Sequence, residues 1–412
     1  MIFSTLFNIF LLSIITGYSF AFKRFINNSK ITINNLDLLY GIFILIFLSL
    51  ILNFFFPLKY FFYPVSGIGF LFFIYAFIKK KIRVNFIIHF IIIFSLIFII
   101  YAQGDNVDSP MYHLQIIKWL SNEKLVFGLS NLEIRFGSNS LWFGLFSLLK
   151  FNTQNFNSIY TLNLIPFSLL IYQTLIKKND LSYFFVSLSV IFLLFFSFLH
   201  PYMNGVILNH LHNTEIDTVG MIFFVISVYL YLKFFEKKDE KIFRLLLLSS
   251  AICFFIKLSN LSVIVFPIII LCLFYRKKLF FLIKEKLNII LLLSLCLWLL
   301  KNLIISGCFV FPVSFTCLNL SWSPGVEEID HYSKVVKGFA RDTRERAKYL
   351  DFDHTIHTLN WFIPWFKDYA LNTAFLKISF FISSLSFFIL ILFNKFKLLN
   401  NNYYKNKKIY LL

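Results

Sequence analysis

Charge is what this chain has least of. Asp, Glu, Lys and Arg make up 14% of its 412 residues, against about 25% in a soluble domain. With 59% hydrophobic residues and a mean hydropathy of +0.77, that shortage excludes a soluble enzyme with a membrane tail. Nucleotide and redox signatures are missing too: no P-loop, GxGxxG, HExxH, CxxC or nucleophile elbow occurs in a suitable context. A nucleotide-sugar enzyme built on a soluble Rossmann domain is therefore excluded. Residues 2–22 lack a charged start and an Ala-x-Ala-like site, so they read as a retained span, not a cleaved signal. No internal repeat is evident. The 59 Phe accompany high Ile, Asn and Lys content, as nucleotide bias would produce, and carry no functional weight.

What the chain does have is long apolar runs, each able to cross a hydrocarbon core about 30 Å thick. They fall near 2–22, 38–57, 61–78, 86–102, 157–176, 181–199, 218–235, 243–256, 261–275, 287–305 and 376–393. The expectation is an all-α, polytopic integral membrane protein of about eleven transmembrane helices with interface helices on its outer surface. The net charge of +19 then reads as topology, not nucleic-acid binding. Alternate loops hold 24 of the 39 Lys and Arg and six of the 20 acids: 23–37, 79–83, 177–180, 233–244, 276–286 and the 395–408 tail. Cytoplasmic loops carry such an excess, so these loops are cytoplasmic and the N-terminus lies outside. The stretch 243–275 also reads as one kinked helix with Lys257 inside the membrane.

The outer side then receives 14 acids and seven of the eight His. They lie in three segments: 103–140, 200–217 and 306–375. In the first, Asp105 and Asp108 follow a span, and Pro110 favours a helix start with Asp108 or Ser109 as N-cap. Leu114, Ile117 and Leu120 fall on one helical face, and Lys118 and Trp119 suit a membrane interface. Asp108 thus reads either as a cap or as a carboxylate that accepts a proton from a hydroxyl nucleophile. Tyr112 and His113 lie one turn on. Residues after Arg135 dip into an apolar stretch too short to span.

The second segment brings Glu215 and Asp217, only one of which would face a given cavity. With His210 and His212 they have the ligand chemistry for a divalent metal, although the spacing matches no recognised motif. The alternative is a polar helix start capped by Asn213 or Thr214. Lys257 and Lys301 interrupt apolar sequence near the outer surface, where a cation faces a cavity or partner, or else snorkels to headgroups. In the third segment Cys308 and Cys317 are the only cysteines outside spans, and an oxidising outer side would allow them to pair. Arg341 and Arg344 suit phosphate, or belong to a solvated helix with local ion pairs.

The run Asp108-Ser-Pro-Met-Tyr112-His113-Leu, followed by a Trp and then by Arg135-Phe-Gly-Ser-Asn-Ser140-Leu-Trp142, resembles the first extracytoplasmic loop of GT-C membrane glycosyltransferases. It is most similar to bacterial members with an Asp-x-x-x-Tyr-His-Leu signature, and distantly to protein O-mannosyltransferases and aminoarabinose transferases. The layout agrees over residues 86–365, the residues themselves over 105–142. The first three spans are additional, and a Pro-Pro pair usual in the family is absent. The resemblance implies a donor sugar on a polyprenyl phosphate and an acceptor that is an envelope glycan, lipid or protein. It implies a catalytic role for Asp108, with Asp105 as rival or partner, and Glu215 or Asp217 facing it across a cavity.

Tyr112, His113, Arg135, Lys257, Lys301, Arg341 and Arg344 are the further candidates for binding substrate. A metal, where one binds, would draw on Asp108, His212 and Asp217. The organisation expected is 1–85, N-terminal spans; 86–305, a GT-C-like core with outer loops 103–140 and 200–217; 306–375, an extracytoplasmic segment; and 376–412, a last span and basic tail. The expected location is a bacterial inner membrane, with the active face outside. An O-antigen polymerase or ligase type of enzyme, and a non-enzymatic transporter of envelope glycolipid, remain the rival readings.

Overall fold

The computed structural model describes residues 1–26, 31–100, 108–153, 156–175, 213–276, 284–341 and 361–365, with isolated positions between 182 and 189 and at 282. Its contacts divide the chain into two compact units, 1–333 and 334–412. In the second, Trp361 and Phe362 meet edge to face, their ring centroids 5.9 Å apart. The expected spans at 181–199 and 376–393 lie outside the described residues, apart from the isolated positions within 182–189.

Helix is the dominant structure because apolar, Pro-poor runs satisfy their own backbone, which hydrocarbon demands. The first four helices are α1 (Ile2–Ile26), α2 (Leu38–Phe55), α3 (Phe62–Ile78) and α4 (Phe86–Ile100). Two shorter ones follow, α5 (Leu114–Asn122) and α6 (Leu141–Leu148), then α7 (Leu164–Leu175). Next come α8 (Asp217–Lys237), α9 (Glu240–Ile256), the helical stretch α10 (Leu258–Tyr275), α11 (Lys286–Ser306) and α12 (Val326–Arg341). Among the described residues the only strands are a two-residue antiparallel pair, Asn152–Thr153 with Phe156–Asn157. Among the described residues six helices are long and apolar enough to cross a membrane: α1, α2 with its lead-in from Asn35, α3 with its lead-in from Leu58, α8, α10 and α11. Phe86–Phe98 of α4 is a shorter apolar helix. The stretch 243–275 is two helices, because Lys257 is extended (φ −154°, ψ 133°) and breaks α9 from α10.

α1 is central and packs on α2, α3 and α4. Gly17 allows the close approach: a Cβ there would overlap the backbone of Gly69 and Phe73 on α3. Apolar attraction between helices is weak in lipid, so such close packing is what holds them. Trp142, Phe143, Phe146, Phe167 and Phe223 are fully buried where α6, α7 and α8 meet.

The loops sort to two ends of this bundle. At one end Lys23 Nζ lies 2.9 Å from Asp37 and Lys241 Nζ 3.7 Å from it. Ile33 exchanges backbone hydrogen bonds with Lys81 and Arg83, both 2.8 Å. Arg244 bridges Glu240 and Glu285 at 2.6 and 3.3 Å. At the other end Asn53 Nδ2 donates to the Glu123 carbonyl (3.2 Å), Thr214 to Ser109 (3.1 Å), and Ser130 to the Ile305 carbonyl (2.9 Å). Among the described residues, each of these loops meets partners from the side of the membrane on which it is expected. We call the two the basic end and the site end.

Candidate functional site

Two outer loops converge on Asp108. It opens a π-turn, Ser109–His113, that leads into α5, and Pro110 sits in the first turn as expected. The Asp108 carboxylate makes no capping hydrogen bond there. Thr214 Oγ1 donates to Ser109 Oγ and so ties the second loop beside it. Asn163, at the start of α7, anchors that loop: its Nδ2 donates to the Asn213 and Glu215 carbonyls (3.2 and 2.9 Å). Asn163 Oδ1 accepts from the Trp142 indole (2.8 Å), and Asn213 Oδ1 accepts from the Glu215 N–H (2.8 Å). The Glu215 backbone is thereby fixed while its side chain is buried.

Burial, and then the charges of Asp217 and Asp108, push the Glu215 carboxyl up to about 7, with Lys257 acting against them. Burial first, and then Asp108 and Glu215, also push the Tyr112 hydroxyl upward. Asp108, Tyr112, Glu215, Asp217 and Lys257 therefore form one electrostatic neighbourhood. Asp217 opens α8, where a helix dipole favours a carboxylate, and pairs with Lys257 at the α9–α10 break. Glu215 points inward and Asp217 is half-exposed, yet the two side chains remain within hydrogen-bonding reach. Lys257 lies at a helix end beside the loop, not within a helix.

A second layer sits over Tyr112. The Arg135 guanidinium lies 5.3 Å from the Tyr112 ring centroid and 2.8 Å from Glu133. The hydrogen bond from Arg135 draws the Glu133 carboxyl below its ordinary range. Ser138 hydrogen-bonds Tyr332, and the Phe311 ring covers Gly137 and stacks on Tyr332 at 5.7 Å. Phe311 belongs to the loop closed by the Cys308–Cys317 disulfide, which leaves α11 through Gly307 in the left-handed conformation (φ 76°).

Other expected residues fare differently. His113 is buried, its ring 4.3 Å from that of Tyr112 and 5.1 Å from that of Phe143. The inward face of α5 carries Ile116, Ile117 and Leu120, with Leu114 at its edge. α6 is the apolar dip too short to span, and it is wholly buried. Lys301 is buried in α11, and none of the three carboxylates Asp108, Glu215 and Asp217 acts on it. Asp105, His212, Arg344 and the Arg341 side chain lie outside the described residues. Among those described, no three His, Cys, Asp or Glu side chains gather closely enough to hold a metal ion. Sequence reasoning passed over Asn163 and Tyr332, and used Trp142 only as part of a motif. For Asn163 the available signal was a lone amide in the apolar run Leu162-Asn163-Leu164-Ile165.

Fold and site together define an all-α membrane protein with carboxylates gathered at one end of its helices. The chain belongs to the family described as a domain of unknown function (DUF8201), whose profile matches residues 1–412. No curated protein and no solved structure matches it.

Proposed function

We propose that the protein is a membrane glycosyltransferase that moves a sugar from a polyprenyl-phosphate-linked donor to a cell-envelope acceptor on the extracytoplasmic side. The observation that carries this reading is the grouping of the Asp108 carboxylate with the buried Glu215 and with Asp217. In the reaction Asp108 accepts the proton of an acceptor hydroxyl. The hydroxyl oxygen forms a bond to the anomeric carbon from the face opposite the donor phosphate. The carbon–oxygen bond to that phosphate breaks, the phosphate keeps the electron pair, and the anomeric configuration inverts. The departing charge needs stabilisation more than protonation, and Lys257 is the cation beside the carboxylates. Glu215, with its carboxyl near 7, holds a proton for part of the physiological range and limits the negative charge around Asp108.

The disulfide supports the sidedness independently of the charge rule. Cys308 and Cys317 lie at the site end, and structural disulfides persist on the oxidising side of a membrane. The three free cysteines, Cys253, Cys272 and Cys296, lie within helices α9, α10 and α11.

The test is mass analysis of surface glycans from a host carrying the wild-type chain, no chain, or D108N at matched membrane levels. A sugar-sized mass found with the wild type alone is expected. The same mass with D108N removes Asp108 as the base, and identical glycans in all three count against transfer in that host.

A further inference from the structure

The exit from α11 differs in composition from the rest of the site end. From Asn302 to Val326 the chain carries no Asp, Glu, Lys, Arg or His. The segment Leu125–Leu132 carries none either. The structure joins these two uncharged stretches. Gly128 N donates to the Ile304 carbonyl (2.9 Å) and Ser130 Oγ to the Ile305 carbonyl (2.9 Å). The Asn131 side-chain amide donates to the Trp322 carbonyl. The Phe127 ring meets Trp322 edge-on, with centroids 5.3 Å apart.

Within the loop closed by Cys308 and Cys317 the backbone satisfies itself. The N–H groups of Phe309, Val310, Val313, Thr316, Cys317 and Leu318 all donate to partners between Gly307 and Thr316. A loop bathed in water has no need of this, whereas lipid demands it. The side chains, in contrast, are left uncovered. Phe315 is 89% exposed, Leu132 65% and Phe127 61%, and Phe309, Leu318 and Val326 are exposed beside them. Charge returns at Glu327 and Glu328, in the first turn of α12. An exposed apolar surface of this kind marks an interaction site.

We propose that the Cys308–Cys317 loop, with Leu125–Leu132 beside it, is a wedge that inserts into the interface of the lipid leaflet at the site end. Continuity identifies lipid as the occupant. Leu292, Leu293 and Leu300 are exposed along α11, and the uncharged surface begins where that apolar span ends. Aromatic and apolar side chains are favoured at this depth. The same loop carries Phe311, which stacks on Tyr332, so insertion holds the layer over Tyr112 at the membrane surface. The proposal does not depend on the transferase reading.

The test places the full chain in phosphatidylcholine nanodiscs that include a phosphatidylcholine with a diazirine in its acyl chain. Adducts formed on illumination are mapped by peptide mass. The wild type is expected to carry adducts on residues 308–320 and on α11. F315D is expected to lose those on 308–320 and to keep those on α11, which reports that the variant is still folded and inserted. Labelling of α11 without 308–320 in the wild type overturns the wedge, as does undiminished labelling of 308–320 in F315D. Discs holding one chain are compared with discs holding two: loss of the 308–320 adducts when two chains share a disc reassigns the surface to a second copy. Hydroxyl radicals generated in the water phase give the converse readout, and strong oxidation of Phe315 in the wild type places it in water and overturns the insertion.

Discussion

At the basic end of the bundle buried charge is matched with charge, whereas at the site end acids crowd together. Asp37 is nearly inaccessible, yet it meets Lys23 and Lys241 and its Oδ2 accepts from the Asn34 N–H (2.9 Å). Lys23 also donates to the Thr32 carbonyl (2.9 Å). Arg244 holds two glutamates from different elements. At the site end three carboxylates, Asp108, Glu215 and Asp217, share the neighbourhood of Lys257, and Lys301 stands away from them. The basic end is arranged to hold helices in register. The site end keeps an unfavourable electrostatic arrangement, as functional sites do.

The largest expected effect breaks the basic end. D37A leaves Lys23 buried and uncompensated, which costs about 3–5 kcal/mol. D108A, which removes no capping bond, is expected to cost about 1 kcal/mol or less. Denaturation in matched detergent measures both, and equal losses would erase the distinction between the ends.

Next in size is the pH dependence of the site end. The Glu215 carboxyl is raised from 4.5 to about 7 in the folded protein. Its contribution to stability is fully present below 4.5, where both states are protonated. Between 4.5 and 7 the unfolded chain gives up its proton first, so stability falls as pH rises through that window. The total is about 3 kcal/mol. E215Q should flatten that fall; a fall of equal size in E215Q would assign it to other groups.

The two-ended arrangement was legible because it depends on composition. Lys and Arg clusters mark one set of loops, and acids with His the other. The α9–α10 break at Lys257 and the short dip of α6 were legible for similar local reasons. That Cys308 and Cys317 are the only cysteines outside spans left their pairing open, and the structure closes the bond. The site itself was only half legible. Asp108 and Glu215 were both visible as carboxylates, but 107 positions separate them. Their meeting depends on Asn163, Trp142 and the Thr214–Ser109 bond, long-range contacts that leave no periodic trace. His113 was a candidate for binding substrate, and a helical wheel cannot report that Tyr112 and Phe143 pack against it. The expectation that Glu215 and Asp217 would diverge treated each as a fixed vector on regular backbone. The chain enters α8 irregularly, through Ile216 (φ −98°, ψ −16°), and side-chain length lets the carboxylates meet.

The smallest effect on stability is the most discriminating test of the site end. Asp217 and Lys257 are about half exposed, with side-chain exposures of 52% and 41%, so a double-mutant cycle should give a coupling of about 1 kcal/mol or less, weakened by salt. Their influence on Glu215 is opposite in sign. Asp217 raises the Glu215 carboxyl and Lys257 lowers it. D217N should therefore bring the midpoint of the pH-dependent stability loss below about 7, and K257M should move it above. A surface ion pair unrelated to the carboxylate cluster would leave that midpoint in place in both variants. Opposite movements would show that the pair, although weak as a fastener, sets the charge state of the group buried beside Asp108.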